Sequence, residues 1–157
     1  MRFSIELTGD ARRVMDNIIL HIPHASLCLP PDFWRDVTVD KEIIERELRF
    51  IADYKNVDSH KIIAKYSRLY CDVERFRDDE AESMAKLGMG AIYTRLSDGT
   101  QYRKIGLSRR EEILGKSYDL HHKQLNALSR EIVDQYGSCV IIDIHSYSDE
   151  LVRRLFG

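Results

Sequence analysis

The segment from Ser108 to His145 constrains the fold more than any other part of the chain. Leu114, Tyr118, Leu125, Leu128, Ile132 and Tyr136 recur at steps of three, four or seven residues, the repeat of an amphipathic helix. Ser108 and Glu111 have the spacing of a capping box, and Gly137 is placed to stop the helix. Directly after it, Cys139-Val140-Ile141-Ile142-Asp143-Ile144-His145 is almost continuously apolar, the type of strand buried on both faces of a sheet. A long helix turned by one glycine into such a strand predicts an α/β fold with a mixed, largely parallel sheet.

The remaining elements agree with this. Asn17 to His21 is a short apolar run stopped by Pro23, and Leu29-Pro30-Pro31 continues the loop. A helix starts after Asp40, carries Ile43, Ile44, Leu48, Ile51 and Tyr54 on its stripe, and ends near Asp58. Lys61–Ala64, Arg68–Val73 and Ala91–Thr94 read as strands, Asp78–Ser83 as an acidic solvated stretch and Gly88-Met89-Gly90 as a turn. No repeat or linker divides the 157 residues, so one domain spanning residues 1–157 is expected.

The 24 basic and 26 acidic residues leave a net charge of -2, with no basic field to attract nucleic acid or an anionic membrane. No apolar run approaches a membrane span, and no signal-peptide core follows Met1-Arg2-Phe3-Ser4. Cys28, Cys71 and Cys139 are odd in number and far apart, which predicts reduced, mostly buried thiols in a cytoplasmic protein. No GxGxxG or GxxxxGK loop follows a strand, which disfavours a nucleotide-binding domain.

Ligands of α/β sheets bind beyond the carboxyl ends of the strands, so His24 and His145 are the first places to look. Asp143 and His145 share a strand face, as a structural pair or as a metal-binding His145 with Asp143 behind it. Asp53 sits at the edge of an apolar stripe, where an anion wants a cation, with Asp58 and His60 as rivals. His24, Asp53 and His145 together have the composition of a zinc site with a position open for water. His121 falls on the helix stripe, as a core histidine or a site residue, and His122 should be more exposed. Arg68 and Arg75, at odd spacing on one strand, should project to opposite faces, either as surface ion pairs or as carboxylate clamps.

Five stretches, in order from residue 18 to 148, resemble the N-formylglutamate amidohydrolase family, itself similar to the zinc carboxypeptidase and aspartoacylase group. They are His21-Ile22-Pro23-His24-Ala25-Ser26, Ser67-Arg68 with Asp72-Val73-Glu74-Arg75-Phe76, Gly88-Met89-Gly90-Ala91-Ile92-Tyr93-Thr94, Tyr118-Asp119-Leu120-His121-His122 and Ile142-Asp143-Ile144-His145-Ser146. The resemblance implies a phosphorylase/hydrolase-like α/β fold, helices on both sheet faces, and amide hydrolysis of an N-acyl amino acid dependent on one zinc ion. It gives His24, Asp53 and His145 as metal ligands, Arg68 as the group at the scissile carbonyl and Arg75 as the anchor for a substrate carboxylate. It also points His121 toward the mouth of the site, so that losing it should weaken turnover more than stability.

Two departures matter. Glu74 stands where the resemblance leads one to expect Asn, and a carboxylate there would repel an acidic substrate or neutralise Arg75. Family members continue past the Asp-x-His-Ser strand, whereas only residues 146–157 follow here, with Asp149 and Glu150 as carboxylates for a general base. A shortened form, weak as a catalyst by itself and prone to self-association through exposed apolar surface, is therefore expected. The alternative is an inactive metal-binding or structural relative acting through a partner.

Overall fold

The computed structural model describes residues 16–48, 60–145 and 153. Three short strands, β1 (Ile18–Ile22), β2 (His60–Ile63) and β3 (Val140–Asp143), form one parallel sheet in the order β2-β1-β3. Each lies within a residue or two of an apolar run read from the sequence. β-branched isoleucines on these runs suit a pleated surface. The register places His21 beside Ile62 on one side and Asp143 on the other.

Helix α1 (Lys41–Leu48) begins directly after Asp40, whose carbonyl accepts from Ile43 N–H at 3.1 Å, and it buries Ile44. The expected continuation toward Asp58 lies outside the described residues. The long helix expected from Ser108 to Tyr136 is broken in two. Helix α2 (Leu107–Ile113) runs into a π turn (Leu114–Tyr118) and then helix α3 (Asp119–Tyr136). The wider turn buries both Leu114 and Ser117. The capping box is absent, because Gly106 takes the N-cap position of α2 without a side-chain bond. Gly137 does close α3, with φ 79° and its N–H on Val133 O at 2.8 Å.

Arg68–Val73 is not a strand. Tyr70 and Cys71 N–H both bond Ser67 O, at 2.8 and 3.2 Å, closing a turn. The reason is the Arg68–Asp72 ion pair at 2.9 Å, since four residues of extended chain would hold those Cα atoms about 13 Å apart. Ala91–Thr94 is not a strand either. The chain reverses over Gly90–Ile92 to a single bridge between Met89 and Tyr93, and Thr94 N–H bonds Gly88 O at 2.8 Å.

The third correction concerns β3. Among the described residues it is, like β2, an edge strand, and Val140, Ile141 and Ile142 are 48, 44 and 43% exposed instead of buried on both faces. Its apolar character alone could not reveal this, because a sequence does not say how many neighbours a strand receives.

The core lies under the loops and helices, with Phe33, Ile44, Leu69, Tyr70, Tyr102, Ile113 and Leu114 enclosed together. Burying each such side chain contributes about 1.5–3 kcal/mol. Within it Arg103 is fully buried, donating to Tyr93 O and to Tyr70 O (3.0 Å) with its guanidinium against the Phe33 and Tyr102 rings. All three cysteines are free, but only Cys71 is buried, where burial pushes its thiol up to about 12. Among the described residues no helix is long and apolar enough to cross a membrane.

Candidate metal centre

β1 and β3 are parallel neighbours, so their carboxyl ends open side by side. Pro23 ends pairing on one and Ile144 N–H, bonded to His21 O at 2.9 Å, ends it on the other. His24 and His145 lie just beyond, with ring centroids 5.4 Å apart. The structure thus brings together the two histidines expected to meet. Asp53 and its rival Asp58 lie outside the described residues, as do Asp149 and Glu150. His60 is described and opens β2.

The carboxylate found between the histidines is Glu74. Its Oε2 lies 3.4 Å from His24 Nε2 and 3.4 Å from His145 Nδ1. One ligand atom from each of the three residues falls within 4.8 Å of the others.

Asp72, fully buried, organises the surroundings. It accepts from His24 Nε2 (2.9 Å), Arg68 Nη2 (2.9 Å), Tyr93 Oη (3.0 Å) and Glu74 N–H (3.2 Å). Burial by itself would raise its pKa, but Arg68, His24 and Arg75 hold the carboxyl well below the usual range. Burial also works against the Arg68 charge, and Tyr93 and Asp72 more than offset it. Arg75 reaches the same carboxylate, with Nε 3.7 Å from Asp72 Oδ2, and Glu82 lies 3.9 Å from its Nη1. Instead of facing apart, the two arginines converge on one anion, because the turn replaces the expected strand.

The donor set fits a metal ion. Nε2 is the His24 nitrogen that meets both carboxylates, Asp72 and Glu74, while the buried Nδ1 has no hydrogen-bond partner among the described residues. Burial lowers the His24 pKa despite Asp72, favouring the neutral imidazole that metal binding requires.

A second polar chain runs alongside. Asp143 pairs with His21 Nδ1 across the sheet and does not stand behind His145 as one strand face suggested. His21 Nε2 lies 2.8 Å from His121 Nε2. With Nδ1–H given to Asp143, His21 Nε2 accepts and His121 Nε2–H donates. His121 is 6% exposed and borders a cavity of about 60 Å³ with Val73, Ser117 and Leu120. Burial, then His21 and His122, bring its pKa down to about 4. His122 is more exposed, as expected, and bonds Val73 O at 2.7 Å.

Sequence reasoning left Asp72 without a role and treated Glu74 only as a departure. The signal was Asp72-x-Glu74, which places two carboxylates two residues apart beside two arginines.

A family model for N-formylglutamate amidohydrolase matches residues 16–155. The fold is similar to the crystal structure of N-formylglutamate amidohydrolase from Ralstonia eutropha JMP134, with a TM-score of 0.72 and 19% identity over 88% of this chain. The chain spans 56% of the length of that structure. Comparison with curated proteins gives no match. With the family model covering every described residue, the chain belongs to the N-formylglutamate amidohydrolase family.

Proposed function

We propose that the chain is a zinc-dependent amide hydrolase acting on an N-acyl amino acid of the N-formylglutamate type. The observation that carries this reading is the convergence of His24, Glu74 and His145, with Glu74 Oε2 3.4 Å from a ring nitrogen of each histidine. His24 and His145 would hold the ion with a carboxylate from Glu74 or, as the family resemblance implies, Asp53. Zinc, when bound there, supplies Lewis acidity and a bound water whose pKa falls toward ~7.

The chain's own groups divide the rest of the work. Arg68, held by Asp72 and Tyr93, is a fixed cation suited to the oxyanion that develops at the scissile carbonyl. Arg75, half-buried beside it and 3.7 Å from Asp72, would take a substrate carboxylate. Asp72 keeps both guanidinia aimed and keeps the His24 ring turned. Glu74 adds negative charge next to Arg75, which within this substrate class favours N-acyl amino acids with a single carboxylate over N-formylglutamate itself.

Metal analysis of the chelator-treated and zinc-reloaded chain tests the reading, together with an amidase screen over N-formyl and N-acetyl amino acids. The expected outcome is about one zinc per chain, lost in His24→Ala and His145→Ala, with turnover abolished in Arg68→Ala. Wild-type chain that retains no zinc after reloading would refute it. An inactive metal-binding relative is the second reading. It is favoured by the engagement of both arginines with Asp72 inside the protein, and zinc binding without turnover on any substrate would establish it.

A further inference from the structure

The segment that carries Asp72, Glu74 and Arg75 has no regular secondary structure, yet it must hold a carboxylate between two histidines. Its grip comes from the π turn and the first turn of α3. Ser117 meets the Cys71 thiol. His122 Nε2–H donates to Val73 O at 2.7 Å, and Tyr118 Oη–H donates to Arg75 O at 2.8 Å. Asp119 and Glu111 each take Arg77, both at 2.9 Å. The Cys71 thiol, the Val73 and Arg75 carbonyls and the Arg77 side chain are thus held from the helix side, while Asp72 and Glu74 turn to the histidines.

The two carbonyls next to Glu74 in sequence, those of Val73 and Arg75, are the two that receive a side-chain donor from the helix. The Tyr118 and His122 rings also pack together, with centroids 4.3 Å apart, so the two donors brace each other. The π turn makes this possible. It ends at Tyr118, and such turns, rare elsewhere, recur at functional sites because they re-aim one side chain.

We propose that Tyr118 and His122 are positioning residues for the metal group, setting the reach of Glu74 toward His24 and His145 by gripping the backbone on both sides of it. This rests on the metal site proposed above. Neither residue touches the ion's ligand atoms, so their effect passes through Glu74, and loss of such outer support costs 10–100-fold in metal affinity.

Zinc affinity by competition with a chelator, and the visible spectrum of the cobalt(II)-loaded chain, are measured for wild type, Tyr118→Phe, His122→Ala and His122→Gln. Tyr118→Phe removes only the hydroxyl. His122→Gln keeps a side-chain amide donor for Val73 O. The expected result is a loss of about 10-fold in affinity for Tyr118→Phe and for His122→Ala, an altered cobalt spectrum in both, and recovery in His122→Gln. Melting of the metal-free chain should change little in Tyr118→Phe. Wild-type chain that binds zinc, with Tyr118→Phe and His122→Ala matching its affinity and spectrum, would overturn the positioning role alone. Wild-type chain that binds no metal would overturn the site and the proposal together.

Discussion

At the scale of single residues, one buried carboxylate decides the electrostatics of the site. Asp72 accepts from two side chains that would otherwise be costly to bury, His24 and Arg68, and each guanidinium or imidazole near it is held in one orientation. His121 is the complementary case, a buried histidine with no carboxylate of its own. Its pKa falls to about 4 while the unfolded chain keeps the ordinary 6.5. Between those values the unfolded state binds more protons, so stability is full above about pH 6.5 and is lost as pH falls toward 4. The contribution is of order 1–3 kcal/mol. His121→Gln, which does not titrate, should flatten the rise in unfolding free energy between pH 4.5 and 6.5, measured by urea titration of the metal-free chain. A slope equal to that of wild type would assign the pH dependence to other groups. His121 was expected at the mouth of the site. In the structure it is buried against His21, so stability is the first property to measure for it.

At the scale of elements, the joint between α3 and β3 sets where His145 stands. Gly137 takes φ 79°, and a Cβ added there meets nothing within 4 Å. Space is therefore no obstacle, and the cost of a side chain is backbone strain alone. Gly137→Ala should destabilise the chain by about 1 kcal/mol in chemical unfolding. No loss would mean that the joint relaxes without cost. This joint was legible in the sequence, because a glycine after a long periodic segment has one common use. The break within the segment was not, since a π turn keeps apolar residues at steps that a continuous helix also allows. The turn at Ser67–Cys71 was hidden for a related reason. Leu69, Tyr70, Cys71 and Val73 suit a strand by propensity, but the ion pair between Arg68 and Asp72 curls the backbone. Propensity is local, whereas that pair is worth its desolvation only with His24, Tyr93 and Arg75 around it.

At the scale of the whole molecule, the sheet ends at β3, which among the described residues pairs with β1 alone. Val140, Ile141 and Ile142 present apolar side chains and an edge with no proline or lysine to discourage pairing. A second copy of the chain is expected to cover this edge, so the average mass in light scattering should rise with concentration. Ile141→Lys should shift the distribution toward monomer and leave zinc affinity within about two-fold, because β3 would keep its pairing with β1. Wild-type chain that stays monomeric at every concentration would show that the exposed strand is tolerated in water.

The sequence by itself determined the α/β class, the three strand segments and the glycine that ends α3, and it pointed to His24 and His145 as residues at strand ends. Each of these depends on short-range pattern or on the rule that parallel strands open ligand sites at their carboxyl ends. Only the tertiary structure decided that Glu74 comes between the histidines and that Asp72 anchors two arginines. It also decided that Asp143 pairs with His21, and that β3 lies at the edge. These facts turn on which distant residues share a neighbourhood. Register placed Asp143 opposite His21, and a turn placed Arg68 and Arg75 on one anion. Burial made the Asp72 pairings necessary, since a charge out of water must find its partner wherever the chain has brought one.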